Sequence, residues 1–239
     1  MAKRTHRQAS LVGQAIDGFV VLKELGEGAA SRVYQAIEPA RDSRLVALKV
    51  LDPVEQALNA AAGEQENPFA VQQRLMKGCH EPGLIRIYRT GTTADGCYFL
   101  AMECAAGMTL EAELFHRRLI PWAEATEVMD SLAWAVSALH EAGIVHRDLK
   151  PANVMVSVGK DGRLKTKLID YGSIKQRESW DRVEVAKGQI PVGTPLYMAP
   201  EQARGFGTTT QSDVYALAAI YYELLIGKPV LSLKQTSPE

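Results

Sequence analysis

The firmest constraint on this chain is a change of periodicity near Ala105. Before it, short apolar runs separated by small residues and turn formers read as strands: Phe19–Leu22, Arg32–Ala36, Leu45–Leu51, Leu84–Tyr88 and Cys97–Met102. Thr93-Ala94-Asp95-Gly96 supplies a turn between the last two. Residues 52–68, rich in Ala, Glu and Gln, read as a loop or loose helix leading into a helix around Phe69–Cys79. After Gly107 the spacing becomes helical. Pro121 suits a first helical position, Val128, Leu132, Val136 and Leu139 form a stripe, and Gly143 suits the stop. Short strands recur at Val154–Val156 and Leu164–Ile169, and a last helix spans about Ser212–Leu225. The pattern predicts an α+β chain of two lobes, strand-rich then helix-rich, with a cleft between them as the natural ligand site.

Bulk properties narrow the function classes. The chain has 239 residues, 46% hydrophobic and 23% charged, with a formal net charge of −1, so neither a nucleic-acid coat nor a polybasic anchor is expected. Cys79, Cys97 and Cys104 show no C-x-x-C spacing, which argues against a disulfide framework or a structural zinc site. Residues 1–17 are basic and polar and read as a tail. No stretch reaches the roughly 18 apolar residues of a membrane helix. The most apolar one, Val214–Val230, is interrupted by Glu223 and Gly227-Lys228-Pro229. A cytoplasmic protein with no membrane segment is expected.

The chemistry-bearing residues come in ordered groups. Gly26-Glu27-Gly28-Ala29-Ala30-Ser31 lies at a predicted hairpin turn, where glycines serve a turn alone or let backbone amides face an anion. Lys49 sits inside the apolar run Val46-Ala47-Leu48, either solvated on an open sheet face or aimed at phosphates. His146-Arg147-Asp148-Leu149-Lys150-Pro151-Ala152-Asn153 gathers an acid and two cations between Gly143 and the break at Pro151, and an amide just after it, hence on a loop. Asp170-Tyr171-Gly172 follows an apolar strand end, so Asp170 is a turn residue or a metal ligand. Gly193-Thr194-Pro195 leads to Ala199-Pro200-Glu201, and Asp213 opens the final helix, where an N-cap role accounts for it.

In this order and spacing the motifs resemble the protein-kinase family, serine/threonine type, from about Gly18 to Pro229. The alanine-rich style is similar to bacterial members. The resemblance implies a kinase domain over 18–239: an N-lobe over 18–105, a hinge near 103–106 and a C-lobe over 107–239. It implies ATP and Mg2+ (or Mn2+) as cofactors and a protein Ser/Thr hydroxyl as acceptor. Gly26 and Gly28 would cover the phosphates, Lys49 would grip the α- and β-phosphates, and Asn153 with Asp170 would hold the metal. Asp148 would take the acceptor's proton, Lys150 would neutralise the γ-phosphoryl, and Thr194 would brace Asp148. Val33, Ala47 and Met155 would enclose adenine, with Met102 as gatekeeper and Glu103, Cys104 and Ala105 as hinge.

Three departures stand out. Gln72 occupies the position of the glutamate that pairs with the strand lysine, and Glu66 lies out of register to replace it. Arg147 precedes the catalytic Asp, yet Ser173 and Ser179 are the only Ser or Thr between Gly172 and Gly193, so activity independent of loop phosphorylation is expected, with Glu184 or no anion serving Arg147. The family's domain continues beyond the helix of Asp213, so a missing segment or a partner chain is expected to cover the C-lobe and supply a partner for Glu201. Gln72, Ser31 at the third glycine position and the short C-terminus favour an alternative, a pseudokinase that binds nucleotide or serves as a scaffold. Joint retention of Lys49, Asp148, Lys150, Asn153 and Asp170 favours the enzyme.

Overall fold

The structure, a computed structural model, describes residues 10–28, 30–61, 66–171, 175–176 and 195–231. The chain divides into two units: residues up to 77 with Arg86–Cys104, and Gly78–Ile85 with the residues from Ala105 onward.

The first unit is built on a six-stranded antiparallel sheet. Its strands are β1 (Ala15–Ile16), β2 (Phe19–Glu27), β3 (Ser31–Glu38), β4 (Arg44–Leu51), β5 (Ile87–Thr92) and β6 (Tyr98–Glu103), in the order β1-β2-β3-β4-β6-β5. Side chains alternate between sheet faces, so Val46, Leu48 and Val50 enter one core with Val21, Tyr34, Ala36, Phe99 and Ala101. Ala47, Lys49 and Leu51 take the other face. Two helices follow β4: α1 (Pro53–Ala61) and α2 (Pro68–Leu75). The Gln56 side chain on α1 donates to Gly96 O and accepts from Tyr98 N, both at 2.8 Å, and so ties α1 to the β5–β6 turn.

Residues 11–17, expected as part of a tail, are structured. Leu11 and Ile16 are buried in the sheet core, Gly13 N donates to Val21 O and Val21 N to Gln14 O. Arg89 pairs with Asp17 and lies 4.3 Å from the Phe19 ring centroid. Two short apolar pairs, Leu11-Val12 and Ala15-Ile16, set apart by Gly13-Gln14 and following a basic stretch, are too brief to give a periodic signal, which is why composition alone concealed this segment. Ile16→Ala is expected to lower stability by about 2 kcal/mol, at the low end for a buried Ile at a sheet margin, as read by urea unfolding. An unchanged midpoint would restore the tail reading.

The second unit is mostly helical. Met108–Thr109 (β7) leads into α3 (Leu110–Arg117) and α4 (Trp122–Glu141), which buries Val128, Leu132, Val136 and Leu139 as the stripe predicts. Pro121 caps α4 one residue before its first turn. Ile144–Val145 (β8) pairs with Lys175–Gln176 (β11), and Val154–Val158 (β9) lies between β7 and Leu164–Leu168 (β10). Gly107 enters β7 at φ +90°, and a Cβ there would lie 1.9 Å from Val156 O, so only glycine fits. Pro200–Ala203 (α5) and Thr210–Ile226 (α6) complete the described residues.

Leu84 and Ile85, expected to open a strand, instead fasten onto β10: Ile85 N donates to Leu168 O and Leu168 N to Gly83 O. The strand starts later, at Ile87, and runs through polar residues. Among the described residues no helix is long and apolar enough to cross a membrane.

Candidate active site

The expected site residues fall into two sets, one in each unit. In the first unit, sheet register aligns them. Val33 lies opposite Gly26 on one side and Lys49 on the other, so three of them form one cross-strand row. Ala47 lies opposite Met102 in the next row, and both are buried. Period-two alternation therefore sets Lys49 and Ala47 on one sheet face, a lysine next to an apolar floor. The Gly28 amide donates to Ser31 O at 2.8 Å and closes the hairpin. At the end of β6, Glu103 N donates to Arg86 O, and Cys104 Sγ accepts from Gln35 Nε2 at 3.7 Å. Gln72 is buried in α2, and Glu66 is paired at the surface with Arg74 at 2.6 Å.

In the second unit the loop after β8 gathers its charges tightly. Lys150 Nζ donates to Asp148 Oδ2 at 2.7 Å. Asn153 Nδ2 donates to Asp148 O at 2.8 Å and to Asp148 Oδ2 at 3.2 Å. With its nitrogen so engaged, Asn153 keeps its amide oxygen as a donor for a cation. Ile169 N donates to Asn153 O at 2.9 Å, which brings the segment carrying Asp170 alongside Asn153. Met155 follows on β9, opposite Thr109 and Lys167.

The loop hangs from Asp213. Its buried carboxylate accepts from His146 N at 2.8 Å and Arg147 N at 2.9 Å, and lies 2.8 Å from His140 Nε2. The N-cap expectation for Asp213 is thus corrected: Thr209 is the N-cap, its own amide donating to Ser212 Oγ, and Asp213 sits inside the first turn of α6. These bonds hold Arg147 at φ +74°, a backbone state that costs a non-glycine residue free energy unless its surroundings enforce it. Burial lowers the Arg147 guanidinium's affinity for its proton, against the pull of Asp213. His146 is fully buried, and burial pushes its imidazole down, opposed by Asp213, Asp170 and Asp148. A neutral imidazole in that packing is the consequence.

The Ala199-Pro200-Glu201 segment joins the same framework. Gln202 donates through Nε2 to Arg147 O at 3.0 Å and accepts from Ala199 N at 3.1 Å. Glu201 accepts from Ser212 Oγ at 2.5 Å, so it has a hydroxyl partner within the described residues. Tyr197 OH donates to Glu223 Oε2 at 2.5 Å, and burial followed by that carboxylate pushes the phenol up. Gln202, Ser212 and His140 carried no sequence signal, because each acts through a partner distant along the chain. Thr194, Gly172, Ser173, Ser179 and Glu184 lie outside the described residues.

Hard oxygen donors suit magnesium or manganese, and the Asn153 oxygen with the Asp170 carboxylate is such a set. Among the described residues no group of three or more His, Cys, Asp or Glu gathers as a dedicated metal cage. A site of few protein ligands is what magnesium accepts when phosphate oxygens and water complete its shell.

The model of the protein kinase domain matches residues 19–239. Human serine/threonine-protein kinase ULK3 is 32% identical over 222 residues, 93% of this chain and 44% of that protein. Serine/threonine-protein kinase pkn2 of Myxococcus xanthus is 35% identical, covering 89% of this chain and 25% of its own. Probable serine/threonine-protein kinase PknB of Lactococcus lactis is 34% identical, covering 89% and 32%. The chain thus spans less than half the length of these relatives. With the match running over nearly its whole length, the chain belongs to the protein kinase domain family.

Proposed function

We propose that the protein transfers the γ-phosphoryl group of ATP to Ser or Thr hydroxyls of proteins. The observation that carries the proposal is the bonded cluster of Asp148, Lys150 and Asn153, with the Asp170 segment tied to Asn153. Phosphoryl transfer requires positioning and charge stabilisation more than covalent participation, and this cluster supplies both.

Asp148 takes the proton of the acceptor hydroxyl as its oxygen forms a bond to the γ-phosphorus. The bond from that phosphorus to the β–γ bridging oxygen breaks, and ADP leaves. Lys150, whose ammonium lies 2.7 Å from the Asp148 carboxylate, neutralises charge developing on the γ-phosphoryl group. Lys49 holds the α- and β-phosphates, Gly26 and Gly28 let the hairpin turn lie close over them, and Thr194 would brace Asp148. Val33, Ala47 and Met155 contact adenine, Met102 limits the pocket's depth, and Glu103 and Cys104 offer backbone groups to the base. Asn153 and Asp170 would hold Mg2+ or Mn2+, which would supply charge neutralisation to the phosphates. The three cysteines are free, which fits a reducing compartment such as the cytoplasm.

Incubation with γ-labelled ATP, Mg2+ and a generic basic protein tests the reading beside Asp170→Asn. Label is expected in the acceptor with the wild type and at about a hundredth of that or less with the variant, since the metal loses a charged ligand. Equal labelling by both removes the proposal.

A further inference from the structure

The position after Asp170 holds Tyr171, and its hydroxyl is engaged. Tyr171 is buried, at 2% exposure, and its ring meets His146 edge-on at 6.2 Å. Its OH lies 3.2 Å from Leu168 O and 3.3 Å from Ile85 O, so one proton is shared between two carbonyls. Those carbonyls belong to a single fastened piece of backbone. Leu168 N donates to Gly83 O, Ile85 N donates to Leu168 O, and Leu84 bridges Leu168 in parallel.

Asp170 is therefore held on both sides. Before it, Ile169 N is bonded to Asn153 O; after it, the Tyr171 hydroxyl is bonded to the Gly83–Ile85 piece. A phenylalanine would fill the same apolar volume against His146 and make neither hydroxyl bond. The hydroxyl thus contributes something that burial does not, a directional tie one residue from the carboxylate.

We propose that the Tyr171 hydroxyl is a positioning group that keeps the Asp170 carboxylate in place for the divalent cation. This rests on the reading of Asp170 as a metal ligand. Tyr171 itself touches neither metal nor nucleotide in this account; it acts through the backbone of Asp170. A fixed carboxylate binds a cation without first giving up conformational freedom, so loss of the tie weakens the metal and leaves metal-free nucleotide binding alone.

The test compares wild type, Tyr171→Phe and Asp170→Asn, all as full chains. Mn2+ binding in the presence of ATP is read by electron paramagnetic resonance, ATP binding in EDTA by calorimetry, and amide exchange over 168–171 by mass spectrometry on metal-free protein. Tyr171→Phe is expected to weaken Mn2+ by about two- to tenfold, the equivalent of one hydrogen bond. ATP affinity in EDTA is expected to stay at the wild-type value, and exchange over 168–171 is expected to rise. Asp170→Asn is expected to weaken Mn2+ far more. Wild-type Mn2+ affinity and exchange in Tyr171→Phe, with Asp170→Asn defective, overturn the positioning role and leave the metal assignment standing. Undiminished Mn2+ affinity in Asp170→Asn overturns the metal assignment and the inference together. Equal losses with and without metal also overturn the inference, because they denote general loosening of the fold, which a thermal melt of each variant registers independently.

Discussion

Asp148→Asn is expected to reduce phosphoryl transfer by about 10²- to 10⁴-fold, the range for loss of a general base. The amide is the same size and cannot take the acceptor's proton. The rest of the loop should persist, because the Asn153 Nδ2 bond goes in part to the Asp148 backbone carbonyl, which the substitution leaves in place. The loss should therefore fall on kcat, with ATP affinity in the presence of Mg2+ within about twofold of wild type. Single-turnover kinetics with calorimetric titration of ATP separates the two. Full activity in Asp148→Asn would remove Asp148 from the chemistry, and lost ATP binding would make it structural.

Asp213→Ala is expected to have the largest effect on stability. The carboxylate is buried and accepts two backbone N–H groups from His146 and Arg147, with His140 beside it. Its removal leaves those donors without their acceptor and releases a loop held in a strained backbone state at Arg147. Breaking such a buried charged network costs about 3–5 kcal/mol. For a chain of this size, that lowers the melting temperature on the order of 10 °C. Activity should fall as well, since Asp148 follows Arg147 directly. Differential scanning calorimetry checks the prediction. A melting temperature unchanged within about 2 °C would show that the bonds to His146 and Arg147 hold nothing in place.

The catalytic loop was legible because its residues are contiguous: a helix stop at Gly143, charges at 147, 148 and 150, and an amide at Asn153 announce a charged loop in seven positions. The sheet was legible for a similar reason. Val46–Leu51 is an apolar run broken only by Lys49, and β4 pairs on both sides, with β3 and β6, as a run of that kind should. What escaped is long-range and polar. Asp213 looks like a helix cap from its neighbours alone, whereas its partners lie at His140, His146 and Arg147. Gln202 bonds a carbonyl 55 positions away, and Tyr171 reads as one more buried ring until its hydroxyl is seen on Ile85 O. Hydrogen-bond partners of this kind are set by topology, and a linear pattern of apolar residues carries no record of them.

The central claim, transfer of the γ-phosphoryl group to a protein hydroxyl, is tested most directly by following the atoms. The protein is incubated with Mg2+, a basic acceptor protein and ATP carrying heavy oxygen in its γ-phosphoryl group, and the acceptor is then sequenced by mass spectrometry. Heavy phosphate on Ser or Thr side chains, present with wild type and missing with Asp148→Asn, is the predicted result. Heavy oxygen found solely in inorganic phosphate, or an acceptor equally labelled by both proteins, would contradict it.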